Sequence, residues 1–313
     1  MTTSIDLRVW RQFLAVAEEL HFGRAATRLH MTQPPVTQAI AQLEKAIGAR
    51  LFDRTRRSVA LTPAGEALVP EVRDLLARAQ ALPARARAAA AGEVGRVRLA
   101  FVSTIGFEQL PAWVREFRAL CPEVALELVE ATGDVQLEAL ARGEIDAGLM
   151  LHSPGFAPPG LAHLGVAMES LVLAVPSQHP LAQANELALD AVLAEPLVAF
   201  PRRILPSVYD AILALYHGVG RVPDVAQEAI QMQTIVNLVS GGLGVAWVPE
   251  SVTQFRRAGV VYRTAAEFAA APGRRRTALA LPGCETSLVW PAASDNPALA
   301  RFVGFVRERG LAQ

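Results

Sequence analysis

The stretch FGRAATRLHMTQPPVTQAIAQLEKAIGARLF, residues 22–52, decides the fold of the first part of the chain. Pro34 and Pro35 open a run in which apolar residues recur at helical spacing. Proline lacks an N–H and has φ fixed near the helical value, so it fits the first turn of a helix, where N–H groups have no internal acceptor. The prolines therefore predict a helix with Thr32 as N-cap and with Gly48 at its end.

This predicted helix has one apolar and one polar face. The apolar stripe consists of Val36, Ile40, Leu43 and Ile47. The opposite face consists of Thr37, Gln38, Ala41, Gln42 and Lys45, with Gln33 beside the N-terminus. Glutamine can form two hydrogen bonds with an adenine edge, threonine can contact a base or a thymine methyl, and a helix N-terminus attracts phosphate. With the short helical pattern before it, the segment predicts a helix-turn-helix. An ordinary amphipathic helical hairpin is the alternative.

A basic turn follows the second helix of the predicted helix-turn-helix. Two short apolar segments, residues 51–54 and 58–61, flank a turn that contains Arg56 and Arg57. This pattern predicts a two-stranded wing. Arg50 and Arg54 add positive charge where a wing lies along the phosphate backbone or in the minor groove.

Composition sets limits on the class of protein. The 313 residues suffice for about two or three domains. The chain is neutral overall, but residues 1–94 hold 13 Lys plus Arg against 9 Asp plus Glu, and residues 95–313 hold 17 against 21. A basic first part suggests nucleic-acid contact, although ordinary solvated surface gives differences of this size too. No apolar run is long enough for a membrane span, and the first residues lack the features of a signal peptide, so we expect a cytoplasmic protein without membrane contact. Cys121 and Cys284 are expected to be reduced thiols.

The order of residues 22–66, FGRAATRLHMTQPPVTQAIAQLEKAIGARLFDRTRRSVALTPAGE, resembles the winged helix-turn-helix of LysR-type transcriptional regulators. The resemblance implies a DNA-binding surface of Gln33, Pro34, Thr37, Gln38 and, on the wing, Arg54. The family often has Arg or Lys at the position of Gln38. The implied partner is double-stranded promoter DNA.

Residues 62–94 predict a long helix, with Thr62 as N-cap and Pro63 in its first position. Its apolar stripe is Leu68, Val72, Leu75, Leu76, Ala79 and Leu82. This stripe is too long for an isolated helix to bury. The family resemblance implies a linker helix that forms a homodimer, and it favours a dimer of dimers, a homotetramer. Packing of the helix on its own body is the alternative. Pro83 is expected to kink or end the helix.

From Gly95 onward, β-rich runs alternate with helical patterns and predict two α/β units, followed by a helix over residues 297–309. The same family has an effector-binding domain similar to periplasmic solute-binding proteins, in which the chain crosses twice between two subdomains. We place the crossings near residues 167–171 and between 262 and 288. The expected fold class is therefore α/β with an all-α-type head. Its parts are a winged helix-turn-helix (residues 1–61), a linker helix (62–94), and an effector-binding domain (95–313) with subdomain I at 95–168 and 283–313 and subdomain II at 169–282.

Polar residues follow several predicted strands, at the sheet edge where ligands gather in open α/β folds. By resemblance, the effector-binding residues are Ser103, Thr104, Thr132, Phe200, Pro201, Arg202 and Gln227. Hydroxyls, helix N-termini and an Arg suit a carboxylate, while Phe200 and Trp247 suit an apolar body. Ser103 and Thr132 as helix caps, and Trp247 as core, are the alternatives. Some relatives that sense aromatic acids carry Arg where Leu151 stands.

The sequence contains no catalytic, metal or cofactor motif. The glycine-rich residues 240–247, SGGLGVAW, join a helix to a strand and predict a tight helix exit rather than a phosphate loop. The predicted function is transcriptional regulation, not enzymatic catalysis, with a small organic acid as effector. A solute-binding module without functional DNA binding is the alternative, and a periplasmic transport receptor is disfavoured by the lack of signal-peptide features.

Overall fold

The computed structural model describes residues 4–55, 58–107, 109–268 and 281–309, so Arg56 and Arg57 of the predicted wing lie outside the described residues. Contacts between Cα atoms divide the chain into two compact units, residues 1–87 and 88–313. The elements up to the boundary are α1 Leu7–Glu19, α2 Phe22–Arg28, α3 Gln33–Ile47, β1 Phe52–Arg54, β2 Val59–Leu61 and α4 Pro63–Ala90, the last of which extends past it.

Helix α3 begins and ends as its sequence predicts. Thr32 occupies the N-cap position, although its side chain makes no capping hydrogen bond, and the prolines stand in the first turn. At the other end Gly48 has φ 79°, and its N–H donates to the carbonyl of Glu44. A left-handed residue of this kind ends helices at little steric cost only when it is glycine.

The first unit has one apolar core. Phe52 of the wing packs against Phe13 and Phe22, with ring centroids 5.6 Å and 5.9 Å apart. The α3 residues buried in this core are Val36, Ile40 and Leu43. Ile47 was expected on the same stripe, but it is 38% exposed because it lies in the last position of the helix, beyond the packed face.

Helix α4 is longer than its prolines suggest. It runs through Pro70 and Pro83 to Ala90, so Pro83 does not end the helix, and a kink at Pro83 stays a prediction. A proline removes one N–H donor and leaves the donors after it intact, which allows a helix to continue. Its residues Val72 and Leu76 are buried in the apolar core of the first unit.

The second unit is an α/β body. Its strands and longer helices are β3 Gly95–Phe101, α5 Gln109–Leu120, β4 Val124–Glu130, α6 Gly133–Ala141, β5 Ala147–His152, β6 Ala162–Pro176, α7 Pro180–Gln183, α8 Leu189–Val192, β7 Leu197–Ala199, α9 Pro206–Gly218, β8 Val225–Glu228, α10 Met232–Ser240, β9 Ala246–Pro249, β10 Val260–Arg263, β11 Gly283–Trp290 and α11 Pro297–Arg309. Short 3-10 helices lie at Ser103–Phe107, Arg202–Ile204, Glu250–Gln254 and Ala265–Glu267.

Strand β6 belongs to both halves of the body. The sheet order is β10-β6-β11-β5-β3-β4, with β9 also paired to β6. Strand β3 is parallel to β4 and to β5, as the alternation of strands and helices predicts. Along β6 the antiparallel partner changes from β11 at Ser170 to β9 at Leu171, inside the interval expected for the first crossing. The interval expected for the return includes β11 and residues 269–280, and the latter lie outside the described residues.

Two apolar cores define two lobes of the body. Lobe I surrounds a core that includes Val97, Leu99, Phe117 and Phe302, and lobe II surrounds one that includes Leu173, Tyr216, Ile235 and Trp247. Trp247 is buried in the core of lobe II, which agrees with the structural alternative for this residue. Burial raises the pKa of the neighbouring Tyr216 to about 12.

The glycine-rich segment after α10 is a tight helix exit, as predicted. Gly244 has φ 147°, and a Cβ atom there would stand 2.1 Å from the carbonyl oxygen of Pro196. The segment leads from α10 into β9, whereas a phosphate loop leads from a strand into a helix.

An ion pair joins the start of lobe I's sheet to the turn before β5. The guanidinium of Arg98 donates to the Asp146 carboxylate from Nη2 at 2.8 Å and from Nε at 3.2 Å, and the Arg98 backbone N–H donates at 2.7 Å. Burial by itself raises the pKa of Asp146, but the hydrogen bonds from Arg98 outweigh it, so the pKa lies below its usual value.

We expect Asp146→Asn to lower the free energy of unfolding by about 1.5–3 kcal/mol at pH 7, the range for hydrogen bonds to a charged group. Because the folded pKa of Asp146 is lowered, its contribution is full above the unfolded value of about 3.9 and is lost as the pH falls through the folded pKa. Urea unfolding at pH 7 and at acidic pH measures this, with the exposed Asp295→Asn as control. A difference from wild type that persists unchanged in acid would contradict the assignment.

Candidate DNA-contact surface and effector cleft

The polar face of α3 is accessible along its N-terminal half. We define the recognition face as Gln33, Pro34, Thr37, Gln38 and Gln42. All are exposed except Thr37, which is half-buried and donates its hydroxyl to the carbonyl of Gln33 at 3.1 Å. The face therefore brings together the predicted α3 residues in an arrangement suited to base edges in a major groove.

Arg54 is held against the head rather than projecting freely. Its Nη2 lies 3.1 Å from Glu44 Oε2, and its guanidinium carbon lies 4.6 Å from the ring centroid of Phe22. Because a guanidinium has five N–H donors, the bond to Glu44 does not exhaust it. The structure thus places Arg54 at the junction of α2, α3 and the wing, and its phosphate contact stays a prediction.

Glu44 connects α3 to the wing. Its Oε1 accepts the backbone N–H of Leu51 at 2.9 Å and that of Phe52 at 3.1 Å, and its Oε2 accepts from Arg54. One carboxylate thereby satisfies two backbone donors at the start of β1. No sequence pattern predicts this role, because the partners are seven to ten positions away.

We expect Glu44→Ala to destabilise the first unit by about 2–4 kcal/mol, because it leaves two partly buried N–H groups and a guanidinium without their acceptor. Differential scanning calorimetry of the full-length protein measures the change, and Gln42→Ala on the exposed face of the same helix is the control. A Glu44→Ala protein that melts like the Gln42→Ala protein would contradict the role.

A small cavity lies between the two lobes of the body, at the carboxyl ends of β3 and β4. It is lined by Val102, Ser103, Thr104, Glu130, Ala131, Thr132, Gly133, Leu151, Ile204, Leu205, Ile230, Gln231 and Met232. We call it the effector cleft. Its volume is about 40 Å³, enough for a few water molecules.

The cleft combines helix N-termini with hydroxyl groups. Gly133 and Met232 are the first residues of α6 and α10, and their N–H groups stand where a helix offers donors without internal acceptors. Thr104 is only 4% exposed, and its hydroxyl has no hydrogen-bond partner in the described part of the chain. Thr132 donates its hydroxyl to Asp134 rather than capping α6. Helix N-termini and hydroxyl donors favour an anionic group.

The structure brings Ser103, Thr104 and Thr132 together but places the other predicted effector residues elsewhere. Phe200 is 2% exposed and packs against Tyr209, with ring centroids 6.0 Å apart. Pro201 is buried beside it. Neither residue lines the cleft, so in this conformation they are not part of the same site as the three hydroxyl residues.

Arg202 and Gln227 also lie outside the cleft lining. The Arg202 guanidinium donates from Nε and Nη2 to the two carboxylate oxygens of Asp210, each at 2.7 Å, and this pairing raises the pKa of Arg202. Gln227 lies on exposed β8 and donates to the carbonyl of Glu228. Asp210 lies one turn into α9, where its carboxylate binds the Arg202 guanidinium. No local sequence pattern predicts this pairing.

Sequence reasoning missed the lobe II side of the cleft. The missed residues are Ile204, Leu205, Ile230, Gln231 and Met232. Gln231 is the N-cap of α10, so the argument that selected Thr132 before α6 applies to it equally. A polar residue at the N-cap is therefore the sequence signal for both helix starts, although the prediction includes only the one before α6.

Other classes of site find no support in the described ranges. No group of three or more His, Cys, Asp or Glu side chains there could hold a metal ion. None of the helices described is long and apolar enough to cross a membrane.

A winged helix-turn-helix followed by a long helix and a two-lobed α/β body with a cleft defines the class of ligand-responsive DNA-binding regulators. Residues 7–66 match the family described as "Bacterial regulatory helix-turn-helix protein, lysR family", and residues 90–311 match "LysR substrate binding domain". The chain belongs to the LysR family of bacterial transcriptional regulators.

Relatives cover nearly the whole chain. The HTH-type transcriptional regulator IlvR of Caulobacter vibrioides is 42% identical over 311 residues, which are 98% of this chain and 99% of IlvR. AlsR of Bacillus subtilis is 38% identical over 264 residues, 83% of this chain and 85% of AlsR. The crystal structure of full-length CbnR complexed with its target DNA has 29% identity and a TM-score of 0.76, covering 97% of this chain and 99% of CbnR. The prediction of a DNA-binding regulator with an effector-binding domain, rather than an enzyme, is confirmed.

Proposed function

We propose that this regulator binds promoter DNA through the recognition face and Arg54, and that a small carboxylate in the effector cleft changes the geometry of the heads on that DNA. The observation that carries the effector proposal is that the N-termini of α6 and α10 lie at one cavity with the Thr104 hydroxyl, which has no partner among the residues that the structure describes. The effector binds one conformation of the body, with a particular degree of lobe closure, more tightly than the others. Effector binding therefore raises the population of that conformation. We place this activity in the cytoplasm, where promoter DNA lies.

The proposed effector is an organic acid with a compact apolar body. Helix N-termini and hydroxyl groups would receive the carboxylate. The apolar part would face Leu151, Leu205 and Met232, which line the same cleft. The described lining contains no Lys, Arg or His and includes the Glu130 carboxylate, so a ligand with a single carboxylate, held at the helix N-termini away from Glu130, suits it better than one with two.

Exposed apolar residues support a homo-oligomer. On α4, Leu75 is 42% and Leu82 is 63% exposed, and on the edge strand β4, Leu128 and Val129 are exposed. Exposed apolar side chains along one helix, and an unpaired edge strand, are features through which copies of a protein associate. We propose a homodimer through α4 and further pairing into a tetramer, with the head, linker and effector-binding parts at residues 1–61, 62–94 and 95–313.

We expect Gln33→Ala and Gln38→Ala to weaken binding to a preferred DNA duplex by about 1–3 kcal/mol while leaving binding to a scrambled duplex nearly unchanged, because they remove base contacts. Arg54→Ala should instead weaken both and reduce the slope of log K against log salt by about 1, as loss of a phosphate contact does. Fluorescence anisotropy over a salt series measures both effects. Gln183→Ala, on the exposed surface of the body, is the control. An equal loss on both duplexes for Gln33→Ala would refute its role in reading bases.

We expect one or more members of a panel of small aliphatic and aromatic carboxylates to raise the melting temperature, because a ligand of the folded state stabilises it by RT ln(1 + [L]/Kd). Thr104→Val should abolish or strongly reduce this shift, since it replaces the cleft hydroxyl that has no partner among the described residues by a methyl group of similar size. Thermal unfolding of the full-length protein measures the shift, with Thr234→Val, exposed on α10, as control. A shift of equal size in the Thr104→Val protein would place the ligand outside the cleft.

A further inference from the structure

Residues 203–207 of lobe II lie against lobe I beside the effector cleft. They run from the 3-10 helix Arg202–Ile204 into the first turn of α9. Arg203 and Ser207 line a cavity of about 250 Å³ together with Asp134 of α6. The residues that this cavity shares with the effector cleft are Gly133, Leu151, Ile204 and Leu205. Arg203 and Ser207 therefore border the effector cleft without lining it.

An ion pair crosses between the lobes at this cavity. Nε of Arg203 in lobe II lies 3.7 Å from Oδ2 of Asp134 in lobe I. The other carboxylate oxygen of Asp134 accepts the hydroxyl of Thr132, which lines the effector cleft. One carboxylate of lobe I thus contacts both a residue of the cleft and a cation of the opposite lobe.

A hydrogen bond crosses between the lobes from the same segment. The backbone N–H of Ser153, directly after β5, donates to Oγ of Ser207 in the first turn of α9 at 2.9 Å. A backbone N–H needs an acceptor, and water can take the place of the Ser207 hydroxyl when the lobes separate. The contact is therefore one that can break and form again.

The backbones of the two lobes also approach closely at this point. A Cβ atom at Gly133, the first residue of α6, would stand 3.0 Å from the carbonyl oxygen of Ile204. A side chain in this position would press on lobe II. The N-terminus of α6 can thus lie against residues 203–207 because it begins with glycine.

We propose that Asp134, Ser153, Arg203 and Ser207 form an interlobe latch, which holds the lobes together beside the effector cleft and sets the ratio of closed to open lobes. The side chain of Arg203 is 63% exposed and that of Asp134 is 31% exposed. Exposed ion pairs and single hydrogen bonds each contribute little net free energy, so a latch of this kind can open without loss of an apolar core.

The latch gives a physical reason for a carboxylate to favour closed lobes. A carboxylate beside Thr132 is repelled by Asp134, and Arg203 offsets that repulsion only while the latch is closed. The closed lobes would then bind the carboxylate more tightly, and its binding would raise their population. This link to the effector rests on the proposed function, whereas the latch itself does not.

Double electron–electron resonance on the full-length protein, without DNA or effector, measures the distance between the lobes. Spin labels are attached to p-acetylphenylalanine at the exposed positions of Ala119 on α5 and Asn185 after α7, so Cys121 and Cys284 carry no label. Dilution with unlabelled protein removes distances between copies. We expect mainly the distance that these positions have with the latch closed. A wild-type distribution in which this distance is a minor component would overturn the proposal.

Charge reversal tests the ion pair. We expect Arg203→Glu to raise the ratio of open to closed lobes about fivefold, because it replaces an attraction to Asp134 by a repulsion at an exposed pair. Adding Asp134→Lys restores an attraction and should return the ratio toward that of wild type. The control Arg142→Glu makes the same reversal opposite Glu138 within α6, on one lobe, and should leave the ratio unchanged. Equal ratios for Arg203→Glu and Arg142→Glu, or a double variant as open as Arg203→Glu, would overturn the latch.

A second variant tests the hydrogen bond and leaves both charges in place. Ser207→Ala removes the acceptor of the Ser153 N–H, so we expect faster hydrogen–deuterium exchange at Ser153 and a larger share of open lobes. Exchange and distances equal to those of wild type would contradict the role of Ser207. Circular dichroism establishes that each variant is folded.

The latch and the carboxylate proposal can fail separately, because the distance measurement contains no effector. A carboxylate that raises the melting temperature, together with Arg203→Glu distances equal to those of wild type, would retain the proposed function and overturn the latch. Open lobes in Arg203→Glu, restored by Asp134→Lys, would support the latch even where no carboxylate binds.

Discussion

The body depends on one constraint, the continuity of strand β6 across both lobes. Residues Ala162–Pro176 form a single strand of 15 residues whose partner changes from β11 to β9 between Ser170 and Leu171. A strand satisfies its backbone N–H and C=O groups only through its neighbours, so each lobe must supply partners on its own side of that point. The lobes are therefore joined by hydrogen-bonded strands.

The effector cleft lies between these joined lobes, where β3 and β4 end and α6 and α10 begin. The N-termini of α6 and α10 supply positive potential at this cleft, whose described lining includes the Glu130 carboxylate and no Lys, Arg or His.

The sequence predicts those features whose cause is local. Pro34 and Gly48 fix the ends of α3 through backbone geometry alone, and α11 occupies the 13 residues Pro297–Arg309 expected for it. Pro83 does not end α4, because a single lost donor does not prevent continuation. Of the cleft lining, only Ser103, Thr104 and Thr132 could be predicted as polar residues that follow strands. The rest could not, because the Asp210 carboxylate that binds Arg202 and the carboxylate of Glu44 under the wing act between positions that only the tertiary fold brings together.

The central claim, that α3 reads bases in the major groove, is tested most directly by dimethyl sulfate interference on duplexes that the full-length protein selects from a random pool. Methylation at guanine N7 blocks the major-groove edge. The account predicts an enriched, two-fold symmetric motif in which methylation of guanines at two separated half-sites prevents binding. A pool without enrichment, or binding insensitive to N7 methylation across an enriched site that contains guanine, would contradict it.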